Sequence, residues 1–365
     1  MINLLAKSSR QWRCIDFHIP FFWYPIFTSS KISDPSPDND QPTQSVALKK
    51  PLDLPLLVSA SFHYEDHGIV ATDDEVDLDL TLAPSLHTLS LSLFQMSPAL
   101  LKRITCKDKV TMMVLQRTTG PYMDLNDLLP HFPNLQEAAF HSAWFIMQNP
   151  PPDITHRKLR KLEVDAYFGW RDLKVLFLVI FPRLESLSVQ VPSTIRYGEL
   201  LKGFIAHNSE SHLTSLSLSC KITREHELID VLSALGSLRE LYIQDTSVGG
   251  TPGFGFSYLF FDALHPDEPD TMTSLEVLSY KGNLLVQSIA FLTPVIIRSR
   301  MRGEIHKNLE KLPVLRKVRI QADQLLDSDE SRIADYPDPP YVCEVRTMME
   351  RGILELLTMD GGQWE

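Results

Sequence analysis

Pro182-Arg183-Leu184-Glu185-Ser186-Leu187-Ser188-Val189-Gln190 holds the arrangement on which the fold turns: Leu-x-x-Leu-x-Val, with a proline two residues before the first leucine. Leu187 and Val189 alternate with serines, the period of a half-buried strand. Allowing other apolar residues at each place, the arrangement recurs towards the C-terminus as Leu213-x-x-Leu216-x-Leu218, Leu238-x-x-Leu241-x-Ile243, Leu275-x-x-Leu278-x-Tyr280 and Leu315-x-x-Val318-x-Ile320. Towards the N-terminus it recurs as Leu159-x-x-Leu162-x-Val164, Leu135-x-x-Ala138-x-Phe140, Val110-x-x-Met113-x-Leu115 and Leu86-x-x-Leu89-x-Leu91. From Leu86 onwards the first positions step by 24, 25, 24, 25, 29, 25, 37 and 40 residues. Weaker copies stand at Trp12-x-x-Ile15-x-Phe17 and Leu57-x-x-Ala60-x-Phe62.

Between these strand signals the hydrophobic period becomes helical. Leu125, Leu128, Leu129 and Phe132 fall at i, i+3, i+4 and i+7, as do Leu173, Leu176, Phe177 and Ile180. Tyr197, Leu200, Leu201 and Phe204, then Leu228, Val231, Leu232 and Leu235, repeat the spacing, and each set makes one apolar stripe. Thr223 is placed to cap the last of these helices, with Glu225 and Glu227 in its first turn. Proline stands two residues before the first leucine at Pro84, Pro133, Pro182 and Pro313, and Gly236 takes that place before Leu238. Proline cannot continue a helix and pushes its predecessor towards extended backbone.

Each unit therefore reads helix, break, strand, and one such unit cannot bury its own apolar face. Stacking buries a continuous core. The first steps lie within the roughly 20–29 residues of leucine-rich repeats. The expected fold is α/β, an irregular leucine-rich-repeat solenoid (a horseshoe) with an inner parallel sheet and outer helices, forming one domain over residues 1–365. The Asn or Cys that a regular repeat places three residues after the third apolar position is met only by Asn283, so the turns need another source of hydrogen bonds. Ser30–Lys50, with its aspartates and prolines, is expected as a disordered insertion. A loop is expected over 328–341 and a capping helix over Glu344–Leu357.

Composition narrows the function. The 365 residues are 44% hydrophobic, carry a formal net charge of −11, and contain 15 Gly against 25 Pro. An acidic chain argues against a nucleic-acid binder, whose surface should be basic. Cys14, Cys106, Cys220 and Cys343 are isolated, which argues against a zinc module or disulfide scaffold and for a reducing, intracellular compartment, cytoplasmic or nuclear. The apolar runs Phe17–Phe27 and Leu173–Phe181 are shorter than the roughly 20 residues that cross a bilayer, so no membrane partner is expected.

Catalytic and cofactor motifs are not found. His63-Tyr64-Glu65-Asp66-His67 is the densest metal-like cluster, but residues four apart on a strand stand too far apart for one ion, and a surface loop is the better reading. Gly249-Gly250-Thr251-Pro252-Gly253-Phe254-Gly255 lacks the G-x-G-x-x-G register, and Pro252 removes a backbone donor. No catalytic residue, cofactor or metal is assigned. Arg298–Arg319 carries six net positive charges, read as a solvated face, with a docking patch for an acidic partner as the alternative.

The solenoid should display the residues between its buried leucines on a concave face. These are Lys161, Glu163 and Asp165, then Ser186, Ser188 and Gln190, then Ser215, Ser217 and Ser219. Glu240, Tyr242 and Gln244 follow, then Lys317, Arg319 and Gln321. A serine-rich middle between charged ends suits protein recognition, with Tyr242 as aromatic anchor. The partner-binding candidates are Lys161, Glu163, Asp165, Glu240, Tyr242, Gln244, Lys317 and Arg319.

Ser8-Ser9-Arg10-Gln11-Trp12-Arg13-Cys14-Ile15-Asp16-Phe17-His18-Ile19-Pro20, the Pro-x-Leu-x-x-Leu units and the end from Glu350-Arg351-Gly352-Ile353 to Trp364 together carry a resemblance. Over nearly its whole length the chain resembles the repeat portion of the F-box-type leucine-rich-repeat proteins of mushroom-forming fungi. The resemblance implies a non-enzymatic target-recognition array of a ubiquitin ligase. A Skp-type adaptor is implied as partner only where an F-box precedes the repeats; none is visible here, Met1 falling almost inside the helix that should follow one. The alternative expectation is a free-standing repeat scaffold without a ubiquitin role.

Overall fold

The computed structural model describes residues 8–20, 54–65, 83–92, 104, 106–117, 123–142, 145–146, 154–165, 178–191, 197–221, 225–246, 260, 274–282, 284–285, 315–322, 325–326 and 346–358. The chain divides into two compact units, Met1–Phe181 and Pro182–Glu365. The expected insertion at 30–50, the loop at 328–341, the glycine-rich stretch at 249–255, Thr223, His67, Asn283 and the basic residues from Arg298 to Lys311 lie outside the described residues.

In the first unit the strands are β1 (Cys14–Pro20), β2 (Ser59–Glu65), β3 (Thr88–Ser92), β4 (Met112–Gln116), the short β5 (Met123–Asp124), β6 (Glu137–His141), the short β7 (Phe145–Ile146) and β8 (Lys161–Asp165), with helix α1 (Leu125–His131) between β5 and β6. β1, β2, β3, β4, β6 and β8 pair in that order, all parallel. The register runs Ile15, Ala60, Leu89, Met113, Ala138, Leu162 along one row and Phe17, Phe62, Leu91, Leu115, Phe140, Val164 along another. These rows are the second and third apolar positions of the repeat. Except for the half-buried Phe17, which packs against Trp12 and Phe62, every member is buried.

The second unit repeats the plan with β9 (Ser186–Gln190), α2 (Tyr197–His207), β10 (Ser215–Cys220), α3 (Glu225–Ser233), β11 (Glu240–Asp245), β12 (Val277–Lys281), the short β13 (Leu284–Leu285), β14 (Lys317–Ala322), the short β15 (Leu325–Leu326) and β16 (Leu354–Thr358). β9, β10, β11, β12, β14 and β16 pair in order and in parallel. Leu187, Leu216, Leu241, Leu278, Val318 and Leu354 align, and all are buried, as are the first-position leucines Leu184, Leu213, Leu238, Leu275 and Leu315. Each such side chain contributes about 1.5–3 kcal/mol of burial, which a single rung standing alone would forgo on both sides.

The proline before each leucine has a geometric reason. Leu57 N–H donates to Leu54 O, Leu86 to Ala83 O, Leu135 to Phe132 O and Leu238 to Leu235 O, each at 3.0–3.1 Å. These are β-turns whose second residue is Pro55, Pro84, Pro133 or Gly236, where proline's fixed φ is already correct. The third residue of these turns supplies a hydrogen bond of its own. Ser85 Oγ donates to Pro55 O at 3.0 Å, Asn134 Nδ2 to Asp108 O at 2.6 Å, and Ser274 Oγ to Gly236 O at 2.7 Å. Ser237 Oγ reaches Leu213 O at 2.9 Å. A ladder of short polar side chains thus ties one turn to the turn before it.

The strands end on a second recurring device. Arg117, Ser142 and Gly282, each seven residues after a first-position apolar residue, have φ of 46°, 52° and 152°. Their N–H groups donate to His141 O, Asp165 O and Gln321 O on the next rung, so the chain turns away without leaving a donor unpaired.

Three expectations are corrected. His63, Tyr64 and Glu65, expected in a surface loop, belong to β2, whose alternation continues through them. The helix expected through Ile180 does not reach it: Ile180 N–H donates to Ile154 O and Ile180 O accepts from His156 N, giving a parallel bridge between Thr155 and Ile180. Residues 173–177 lie outside the described set. The capping helix expected over Glu344–Leu357 is helical only at 346–350 among the described residues, and β16 follows. Gly352, at φ 66°, donates to Met349 O, while Ile353 N–H donates to Met348 O. That hydrogen-bond pair is a Schellman stop, closed by the buried Met348 and Ile353. The alternation Leu354-Glu355-Leu356 then continues as strand.

Candidate functional site

Opposite the leucine rows, each unit presents the side chains at the intervening strand positions. In the second unit this polar face carries Ser186, Ser188 and Gln190, Ser215, Ser217 and Ser219, Glu240, Tyr242 and Gln244, and Lys317, Arg319 and Gln321, all exposed or half-exposed. Tyr242 is 38% exposed, unusual for a large ring on a sheet. Ser217 and Ser219 flank it on β10, Ser279 and Lys281 on β12, and Arg319 and Gln321 on β14, around a hollow of about 190 Å³. That is smaller than the roughly 300–1,000 Å³ of a small-molecule pocket. The hollow matches one protruding side chain of a macromolecule better than a buried metabolite.

Electrostatics organise the same face. Lys317 Nζ lies 2.8 Å from Glu355 Oε1, and Arg319 Nε lies 3.8 Å from Glu355 Oε2. Immediately before β11, β12 and β14 begin, Glu276 bridges Arg239 at 3.6 Å and Arg316 at 3.5 Å. The described end of the basic region is therefore paired at Arg316, Lys317 and Arg319. Tyr242 Oη donates to Glu240 Oε2 over 3.5 Å, and partial burial followed by the Glu240 charge pushes its hydroxyl pKa up, so Tyr242 presents a neutral phenol.

In the first unit, Lys161, Glu163 and Asp165 share the polar face of β8, and His141 Nε2 stands 3.7 Å from Glu163 Oε1. Near the other end of the row, His18 and His63 are register partners on β1 and β2. Their rings stack 4.0 Å apart at 6°, and both Nε2 atoms face Asp16 Oδ1, at 3.6 and 3.3 Å.

Burial disposes of two thiols: desolvation pushes Cys106 up to about 11 and Cys220 up to about 12, the latter helped by Asp245, so neither supplies a thiolate near neutrality. His156 is buried in the turn row occupied elsewhere by Leu54, Ala83, Phe132, Phe181 and Leu235, and its Nε2–H donates to Phe132 O at 3.0 Å. It is a core histidine that ties two turns together.

The structure thus gathers Glu240, Tyr242, Gln244, Lys317 and Arg319 on one face of the second unit and Lys161, Glu163 and Asp165 on one strand of the first. Sequence reasoning missed Glu355, hidden inside an expected helix, and the Asp16–His18–His63 group. The alternation around Glu355 and the alignment of Phe17 with Phe62 were the signals that could have found them. The chain matches no protein-family model, and no curated protein matches it significantly.

Proposed function

We propose that this chain is an irregular leucine-rich-repeat solenoid, a horseshoe with an inner parallel sheet and outer helices, that recognises another protein through its polar strand face. It would serve as a target-recognition array of the F-box type, without catalysis of its own. The observation that carries the reading is the Tyr242 hollow: an exposed aromatic ring ringed by serines, glutamines and two cations, on rigid parallel strands. Aromatic residues held on a preorganised surface lose little entropy on binding and dominate interface energetics. The neighbouring serines and glutamines offer donors and acceptors without a large desolvation cost.

The test is affinity purification with the full chain as bait, in parallel with Tyr242→Ala and with Glu185→Gln as a control on the strand border. At least one protein should bind the wild type and the control and be depleted roughly tenfold or more by Tyr242→Ala. Skp-type adaptor or cullin subunits among the recovered proteins would support the ligase role, and their absence beside a Tyr242-dependent partner would point to a scaffold. Equal recovery by wild type and Tyr242→Ala, or no reproducible partner at all, would overturn the reading.

A further inference from the structure

We propose that Asp16, His18 and His63 form a binding site for a divalent transition-metal ion, with zinc as the best match. The three side chains are brought together by sheet geometry alone. Asp16 and His18 are two residues apart on β1 and so share a face, while the parallel register sets His63 of β2 directly beside His18. Their ligating atoms all lie within 4.8 Å of one another, the one such grouping of His, Cys, Asp or Glu among the described residues.

The distances fit a metal better than a chance surface cluster. Ligands at about 2.0–2.1 Å from zinc in a tetrahedron stand roughly 3.4 Å from each other. The Asp16 Oδ1 to His63 Nε2 and Asp16 Oδ1 to His18 Nε2 separations are 3.3 and 3.6 Å. The two rings stack with nearly parallel planes, so their in-plane lone pairs converge on one ion only after these exposed or half-exposed rings rotate out of the stack. Two borderline imidazole nitrogens beside one hard carboxylate oxygen suit zinc and its transition-metal neighbours rather than calcium or magnesium, which take all-oxygen sets. Three protein ligands leave a fourth position open to water, and the Ser61 hydroxyl, now 2.9 Å from His63 Nε2, gives up that nitrogen when it turns to an ion.

This inference is independent of the role given to the Tyr242 face. The test is calorimetric titration of zinc into the metal-stripped full chain, carrying no polyhistidine tag, with cobalt absorption as a second readout. One zinc per chain should bind, and cobalt should give the intense visible bands of a tetrahedral site. His18→Ala, His63→Ala and Asp16→Asn should each weaken binding roughly tenfold or more. Far-UV circular dichroism establishes that each variant remains folded; for one that does not, His18→Gln or His63→Gln replaces it. Zinc binding of unchanged affinity in the folded variants, octahedral cobalt spectra, or no binding below millimolar zinc would overturn the proposal.

Discussion

Lys317 and Glu355 meet at 2.8 Å between neighbouring parallel strands although they are two residues out of register, Arg319 being the residue directly opposite Glu355. A single carboxylate therefore serves two cations on the polar face, and it does so from β16, the strand that closes the described order of the second unit. The pairing makes Glu355 the carboxylate that offsets Lys317 and Arg319, while Glu240 is the acidic neighbour of Tyr242 itself.

Glu355→Gln should leave Lys317 and Arg319 without their shared partner but should cost less than about 1 kcal/mol in urea unfolding, because both ion pairs are substantially exposed. Its larger effect should be on association: the net gain of one positive charge beside Lys317 and Arg319 should speed binding of an acidic partner and slow that of a basic one, in a manner suppressed by salt. Association rates at low and high ionic strength check this.

Gly282 and Gly352 are two glycines whose substitution separates strain from crowding. At Gly352 the backbone is left-handed, φ 66°, but no atom lies within 4 Å of an added Cβ, so Gly352→Ala should cost about 1 kcal/mol of conformational strain. At Gly282 an added Cβ would also stand 2.7 Å from Asp245 Cβ and 2.9 Å from Tyr280 Oη, and Tyr280 is buried. Gly282→Ala should therefore cost clearly more, about 2–4 kcal/mol, as read from urea midpoints. Equal losses at the two positions would mean that the core around Tyr280 yields freely.

The parallel rows are legible in the sequence because burial repeats in register: Leu187 and Val189 sit beside Leu216 and Leu218, and each pair shows the same spacing along the chain. β16 escapes that logic because Arg351 occupies the place of the first leucine, and Met349, Ile353, Leu356 and Leu357, at i, i+4, i+7 and i+8, imitate a helical stripe. Only the stop at Gly352 breaks the imitation. The metal-like group is illegible for a different reason. Its members are neighbours through the pairing of two strands that begin 45 residues apart, so His63 is read with His67, four residues on, rather than with His18 across the sheet.

The side-chain ladder along the turns makes a graded prediction. Ser85→Ala and Ser274→Ala each remove a donor to a carbonyl of the previous turn and should cost about 0.5–1.5 kcal/mol. Ser85→Asn, which can still donate, should recover part of the loss. Because the two sites lie in different units and share no partner, the double variant should be additive within about 0.5 kcal/mol. Chemical denaturation of the single and double variants measures both statements.

His156 predicts how stability responds to acid. Burial, with a smaller push from Lys158, lowers its folded-state pKa below the ordinary 6.5, against the opposing pull of its bond to Phe132 O. The unfolded chain then binds a proton that the folded chain refuses, so stability is fully present above about pH 6.5 and is lost as the pH falls from there through the folded value. His156→Gln keeps a donor for Phe132 O but cannot titrate. Its unfolding free energy should vary less with pH just below 6.5 than that of the wild type, the difference in slope approaching that of one proton. If the two slopes coincide between pH 5 and 7, His156 is protonated in the folded state and the turn row it occupies is open to water.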